Sequence, residues 1–147
     1  MCSICIIRSH RSNPFHRLAK WNGSFFARTS LESLGMVIHL RHKSERCPKA
    51  SPHPSNVTLV DTNGIQLIKV GYCQCPGYVG ERAKIKQLVE YGLFPASVKR
   101  PQTLFTFKVL RDFHLETTCS KTSAYDYIRK IGRITDRIFV NAVPVCT

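Results

Sequence analysis

Cysteine and histidine residues at short spacings fill the first half of the chain and constrain how it can fold. The first group reads C-x2-C-x4-H-x5-H, and the second joins an H-x4-C segment to a later C-x-C pair. Each group supplies four nitrogen or sulfur donors, the number that a closed tetrahedral zinc site requires. The spacing therefore predicts two structural zinc sites. Their ligands are Cys2, Cys5, His10 and His16 in the first group, and His42, Cys47, Cys73 and Cys75 in the second.

Disulfide pairing is the alternative for these cysteines. The chain has seven cysteines, an odd number, so a scheme of disulfides alone would leave one cysteine unpaired. The apolar stretch before Arg8 is too short for the core of a signal peptide, and in a reducing compartment clustered cysteines more often bind metal. Zinc is therefore favoured over a secreted, disulfide-stapled basic protein. Cys119 and Cys146 have no partner at ligand spacing and are interpreted as spare thiols.

The second group requires two separate segments to meet. A C-x-C pair at the end of a strand places two sulfurs close enough to share one ion, but the other two donors must come from His42 and Cys47. These converge on the pair if a strand at 36–40 lies beside a strand at 65–70. The alternative is a pair of buried free cysteines with an exposed histidine.

The chain carries a large excess of positive charge. It has 22 Lys+Arg against 9 Asp+Glu, a formal net charge of +13, and its first acidic residue is Glu32. Basic residues beside metal-organised loops favour contacts with nucleic-acid phosphates, although a merely solvated surface is the alternative. The predicted nucleic-acid-binding residues are Arg8, Arg11, Arg17, Lys20, Arg41, Lys43 and Arg46.

The pattern of apolar and turn residues predicts one α+β domain over residues 1–136 and an unpatterned tail at 137–147. Residues 1–35 are predicted to form a zinc knuckle with a short helix at 30–34, because Thr29-x-x-Glu32 is a capping box and Gly35 a stop. Residues 36–75 are predicted to form a small zinc-stabilised sheet, with a hairpin of strands 57–60 and 65–70 closed by Asn63-Gly64. Residues 76–136 are predicted to be helical, with helices at 83–91, from Pro101 and from Ser123.

No run of 18 apolar residues occurs, so we expect no membrane span.

Three aromatic residues, Trp21, Phe25 and Phe26, surround the Asn22-Gly23 turn. We expect them to pack in the core as apolar support for the first zinc site. The alternative is a platform on which nucleic-acid bases stack.

Patterns that indicate catalysis are missing from the sequence. It contains no H-E-x-x-H, phosphate-binding loop, nucleophile elbow or dinucleotide fingerprint. Its carboxylates fall beside predicted turns and on helix surfaces, whereas metal-dependent nucleases need several that converge on one ion. We therefore expect a binding module without enzymatic activity or a small-molecule substrate.

Several linked motifs occur along residues 2–136 in a fixed order. They are His10, Pro14-Phe15-His16-Arg17, Trp21-Asn22-Gly23-Ser24-Phe25-Phe26, Arg28-Thr29-Ser30-Leu31, Leu34-Gly35, His42…Cys47-Pro48, Asp61-Thr62-Asn63-Gly64-Ile65, Cys73-x-Cys75, Pro95-Ala96, Phe107…Leu110…Phe113-His114, Lys121-x-Ser123-Ala124-Tyr125 and Thr135-Asp136. Together they resemble the CxC-type cysteine-cluster domain associated with KDZ transposases of fungal mobile elements.

The resemblance implies a nuclear zinc-chelating module that precedes an RNase H-like transposase core and contributes to DNA or chromatin recognition. It implies His42, Cys47, Cys73 and Cys75 as ligands, and it likens the first group to part of a B-box-like cross-braced site. A B-box-like protein-protein interaction module is the alternative function. The family's upstream cysteines and transposase core have no counterpart here, so we expect a truncated or decayed copy.

Overall fold

A computed structural model of the protein describes residues 3–42 and 45–136, and these form an α+β fold. The predicted tail at 137–147 and residues Cys2, Lys43 and Cys146 lie outside the described residues. In chain order the elements are α1 (Ser3–Ser9), β1 (Leu18–Trp21), β2 (Phe26–Thr29), β3 (Val37–His39), β4 (Ser55–Asp61), β5 (Gly64–Gly71), α2 (Glu81–Glu90), β6 (Leu93–Pro95), β7 (Thr103–Thr106), α3 (Phe107–Ser120) and α4 (Ala124–Thr135).

A five-stranded mixed sheet, in the order β3-β5-β4-β7-β6, forms the centre of the fold. The predicted hairpin of β4 and β5 is confirmed, and Asp61 pairs with Gly64 across its turn. The two residues between this pair, Thr62 and Asn63, therefore form the centre of the turn. Of the two predicted turn residues, Gly64 takes a positive φ, 134°, and Asn63 does not. The predicted strand at 36–40 is also confirmed as β3, which runs parallel to β5.

Helices cover both faces of this sheet. Successive side chains of a strand point to opposite faces, so Leu59 and Val60 of β4 belong to different apolar clusters. Leu59 packs in a cluster that includes Leu88 of α2. Val60 packs in a second cluster with residues of α3 and α4, among them Val109 and Ile131. The α2 helix confirms the one predicted at 83–91, and the α4 helix confirms the one predicted from Ser123.

The helix predicted from Pro101 is wrong over its first turn. Residues 103–106 form β7 instead, which pairs with both β4 and β6, and α3 begins only at Phe107. Leu104 is fully buried in the sheet's first cluster, so tertiary packing decides its conformation. Thr106 then caps α3, since its hydroxyl accepts a hydrogen bond of 3.1 Å from the Val109 N–H.

The short helix predicted at 30–34 is also wrong, because this segment forms turns. The Glu32 carboxylate does not close a capping box but forms a 2.9 Å ion pair with Lys69 of β5. The N-terminal region instead contains α1 and a separate two-stranded sheet of β1 and β2.

The three aromatic residues of that hairpin are exposed, so their predicted place in the core is wrong. Trp21, Phe25 and Phe26 have exposed fractions of 54%, 60% and 68%. The Asn22 side chain builds the turn between them by accepting hydrogen bonds from the Ser24 and Phe25 amides. No helix within residues 3–42 and 45–136 has the length and apolar content that a membrane crossing would need.

Candidate metal centre

Two parallel strands deliver the second group of predicted ligands to one edge of the sheet. The β3 and β5 strands end together, with His39 opposite Gly71, and the Leu40 N–H extends the pairing to the Gly71 carbonyl at 3.0 Å. His42 follows the end of β3 by three residues, and Cys73 follows the end of β5 by two. This is the strand arrangement that the sequence required for convergence.

The side chains of His42, Cys47, Cys73 and Cys75 converge, with all four candidate ligand atoms within 4.8 Å of one another. The Cys47 sulfur lies 3.5 Å from that of Cys73 and 3.6 Å from that of Cys75. The His42 Nε2 atom lies 3.3 Å from the Cys73 sulfur and 3.7 Å from the Cys75 sulfur. A zinc tetrahedron with ordinary Zn–S and Zn–N bonds has ligand separations of about 3.5–3.8 Å. The four side chains therefore fit around one tetrahedral cation.

The backbone before the cluster adopts an uncommon conformation. Arg41 and His42 have φ values of 69° and 47°, in the left-handed region that residues other than glycine rarely enter. Side-chain contacts of Arg41 hold this turn, because its guanidinium lies 3.6 Å from the centre of the Tyr78 ring and pairs with Glu90 at 3.3 Å. The turn directs the His42 ring back toward the cysteines.

Backbone amides surround the sulfur atoms. The Lys49 N–H donates to the Cys47 sulfur at 3.3 Å, and the Cys75 N–H approaches the Cys73 sulfur at 3.5 Å. The two cysteine segments are also joined directly, since the Gln74 N–H donates to the Lys49 carbonyl at 3.0 Å. Such N–H groups stabilise the negative charge of a thiolate, and the thiolate is the form of cysteine that binds metal.

Gln87 of α2 holds the Cys73 main chain from both sides. Its Oε1 accepts from the Cys73 N–H at 2.8 Å, and its Nε2 donates to the Cys73 carbonyl at 3.0 Å. Gln87 is fully buried and Cys73 is 1% exposed, so water cannot replace these bonds. Sequence reasoning missed this residue, since a lone glutamine within a helix carries no pattern. The one feature that could have indicated its role is that Gln87 is a polar residue directly before Leu88, on the part of α2 that is buried.

The surroundings of the cluster shift the pKa values of Cys47 and Cys75 in opposite directions. Hydrogen bonds with Cys73 and Cys47 raise the pKa of Cys75 to about 11. Burial raises the pKa of Cys47, but the Lys49 N–H and the neighbouring thiols outweigh it, so the net shift is downward. A divalent cation that binds here would displace the remaining protons, as metal binding to thiols generally does.

The first group of predicted ligands stays a prediction. Cys2 lies outside the described residues, and Cys5 is exposed on α1. The His10 and His16 rings meet edge to face with centroids 5.4 Å apart, and the His10 Nδ1 bonds to the Ile6 carbonyl at 2.9 Å. In the part of the chain that the structure describes, the second group is the one set of His, Cys or carboxylate side chains close enough to hold an ion.

The predicted nucleic-acid-binding residues fall into two sets, apart from Lys43. Arg17 donates to the Ile134 carbonyl at 2.8 Å and also bonds to Thr135 at the end of α4, and Arg41 pairs with Glu90. These two cations are therefore used within the fold. The other predicted residues, Arg8, Arg11, Lys20 and Arg46, are exposed, and none of the four forms an ion pair within residues 3–42 and 45–136.

The fold and the cluster together define an α+β module whose three cysteines and one histidine could hold one metal ion. The chain belongs to the CxC2-like cysteine clusters associated with KDZ transposases, whose family model matches residues 31–138, well over half of its length. All four residues of the cluster lie within that match, whereas the first group and the exposed aromatic hairpin lie before it. No curated protein and no solved structure matches the chain.

Proposed function

We propose that the chain is a non-catalytic zinc-binding module that recognises nucleic acid. The observation that carries the proposal is the convergence of His42, Cys47, Cys73 and Cys75 at the edge of the sheet. Three sulfur donors and one nitrogen donor in a closed tetrahedron are the ligand set of structural zinc. Bound zinc would contribute folding free energy of about 10–16 kcal/mol, as measured for structural sites in small domains.

A metal at this position fixes a basic loop as well as the sheet. Arg46 and Lys49 flank the ligand Cys47, and both are exposed. Without the ion, Cys47 would lose the ligand bonds that tie it to Cys73 and Cys75, and Arg46 beside it would be held less firmly, whereas Lys49 keeps its backbone bond to Gln74. The net charge of +13 adds long-range attraction for a polyanion. The family's association with transposases supports DNA or chromatin as the partner, and with it a nuclear location.

The arrangement of the carboxylates supports a binding role over a catalytic one. Asp61 is buried and accepts from the Thr106 hydroxyl at 2.7 Å, and Asp112 accepts from the Tyr127 hydroxyl at 2.7 Å. Glu116 pairs with Lys130. These acids are engaged within the fold, and no three carboxylates of residues 3–42 and 45–136 lie close enough together to share an ion, whereas metal-dependent phosphoryl chemistry needs several on one ion.

Salt dependence of DNA binding tests the proposal. Zinc-loaded protein should bind a DNA duplex with an affinity that falls steeply between low and physiological ionic strength, because each phosphate contact releases counterions. A Cys75→Ser variant should bind less zinc and less DNA, whereas Cys119→Ser, which changes an exposed cysteine on α3, should match the wild type. A flat salt response, or equal DNA affinity of Cys75→Ser and wild type, would contradict nucleic-acid recognition.

The exposed aromatic hairpin favours a second candidate, a B-box-like protein-interaction module. The Trp21 and Phe26 rings lie 5.1 Å apart on a hairpin where Phe25 is also exposed, and exposed apolar clusters commonly mark interfaces. This candidate expects a protein partner whose binding survives high salt and is lost in Trp21→Ala. A partner that dissociates in salt and is indifferent to Trp21 would exclude it.

A further inference from the structure

A basic cavity lies along β3, and one of the residues that border it, Arg46, precedes the ligand Cys47 in the chain. It has a volume of about 300 Å³ and is bordered by Arg11, from the segment after α1, by His39 of β3 and by Arg46, from the loop that precedes Cys47. Tyr91 and the apolar side chains of Ile7 and Val37 form other parts of its wall. A tetrahedral oxyanion and several waters fit within such a volume, since one water occupies about 30 Å³ in the liquid.

Two arginines border this cavity, and the described part of the chain offers them no counterion. Among residues 3–42 and 45–136, neither Arg11 nor Arg46 forms an ion pair, and no carboxylate lines the cavity. Arg11 and Arg46 differ in this respect from Arg17, which donates to a backbone carbonyl, and from Arg41, which pairs with Glu90. Both charges act on His39, which borders the same cavity. A guanidinium without an acidic partner has free N–H donors, which suit phosphate oxygens.

His39 supplies a third donor. Its Nδ1 atom is buried without a hydrogen-bond partner and lies against Gly71, where a Cβ atom would be only 2.7 Å away. An unpaired acceptor is tolerated in a buried place more readily than an unpaired N–H, so the proton of the neutral ring belongs on Nε2. Burial is the main cause that lowers the pKa of His39, and Arg46 and Arg11 lower it further. The neutral ring can therefore offer only Nε2–H to the cavity.

We propose that Arg11, His39 and Arg46 form a binding pocket for a phosphate group. The identification of that group as a nucleic-acid phosphate rests on the proposed function, and free inorganic phosphate has the same chemistry. Arg46 adjoins the ligand Cys47, so the metal sets the position of one wall. The pocket would thus fix one phosphate at a defined place, which diffuse attraction to a net charge of +13 cannot do.

Paired variants of equal charge test the pocket. Arg11→Gln with Arg46→Gln removes two cations at the cavity, and Lys108→Gln with Arg111→Gln removes two exposed cations on α3, away from it. Each zinc-loaded full chain is titrated with inorganic phosphate while the His39 ring signals are followed by NMR. A DNA duplex is then titrated at several salt concentrations. Equal melting temperatures establish that both double variants remain folded.

The pocket predicts a saturable shift of the His39 signals with phosphate, lost in the Arg11/Arg46 variant and kept in the Lys108/Arg111 variant. With DNA, the Arg11/Arg46 variant should make the negative slope of log affinity against log salt shallower by about one unit, the effect of losing one phosphate contact, and this change should exceed that of the control. A phosphate response with unchanged DNA binding would identify free phosphate as the ligand. Unshifted His39 signals together with equal losses of DNA affinity in both variants would overturn the pocket and leave nucleic-acid binding intact. A phosphate response in a chain that binds no DNA would instead refute the proposed function alone.

Discussion

Replacement of Gln87 by leucine should weaken metal binding although Gln87 contacts no metal. The variant removes the acceptor of the Cys73 N–H, at 2.8 Å, and the donor to the Cys73 carbonyl, at 3.0 Å. Each buried group left without a partner costs about 1–3 kcal/mol, so the two together cost about 2–6 kcal/mol of folding stability. The Cys73 main chain would also lose its fixed orientation, and loss of such outer support typically lowers metal affinity about 10–100-fold.

The assay is competition between the protein and a zinc chelator of known affinity, followed by urea unfolding of the zinc-loaded protein. Gln66→Leu is the matched control, because Gln66 also donates to a backbone carbonyl, that of Phe15 at 3.1 Å, but lies away from the cluster. We expect Gln87→Leu to lose zinc at a lower chelator concentration than Gln66→Leu. If the two variants release zinc at the same chelator concentration as the wild type, the role of Gln87 in positioning Cys73 is refuted.

Three further substitutions test the fold around the site, each by urea unfolding of the zinc-loaded chain. Leu59→Ala empties a fully buried position in the first apolar cluster and should cost about 2–5 kcal/mol; a loss below about 1 kcal/mol would mean that the sheet is not packed as described. Thr106→Val removes the N-cap of α3 and the donor to the buried Asp61 carboxylate, so it should cost about 2–4 kcal/mol, and an unchanged stability would contradict the observed bonds. Ser123→Ala removes the N-cap of α4, whose hydroxyl accepts from the Asp126 N–H at 3.1 Å, and should cost about 1 kcal/mol; no measurable loss would argue against that cap.

The parts of the fold with strong local signals could be predicted from the sequence. The β4–β5 hairpin has two apolar strands separated by a segment that contains the Asn63-Gly64 turn signal, and the Ser123 side chain accepts a hydrogen bond from the first turn of the helix that it caps. The sequence also predicted that β3 lies beside β5, because His42 and Cys47 must reach the Cys73–Cys75 pair, whereas the parallel direction of the two strands is seen only in the structure. The requirement that four ligands share one ion thus predicted which two distant strands are neighbours.

Elements decided by tertiary packing could not be predicted. Leu104 and Phe107 lie three residues apart, a helical spacing, yet Leu104 belongs to β7 because the sheet buries it. Thr29 and Glu32 have the spacing of a capping box, but Lys69 from β5 takes the Glu32 carboxylate. The sequence gives no sign that Arg17 is bonded within the fold, because its partner, the Ile134 carbonyl at the end of α4, lies far away in the chain.

Zinc content per chain, measured on purified protein before and after Cys75→Ser, tests the central claim most directly. Cys119→Ser is the control for the loss of a thiol elsewhere. If the sulfur and nitrogen atoms of the cluster hold zinc, the wild type and Cys119→Ser should carry the same content, and Cys75→Ser should carry one equivalent less. A wild-type chain that binds no zinc, or a Cys75→Ser variant that keeps the full amount, would contradict the claim.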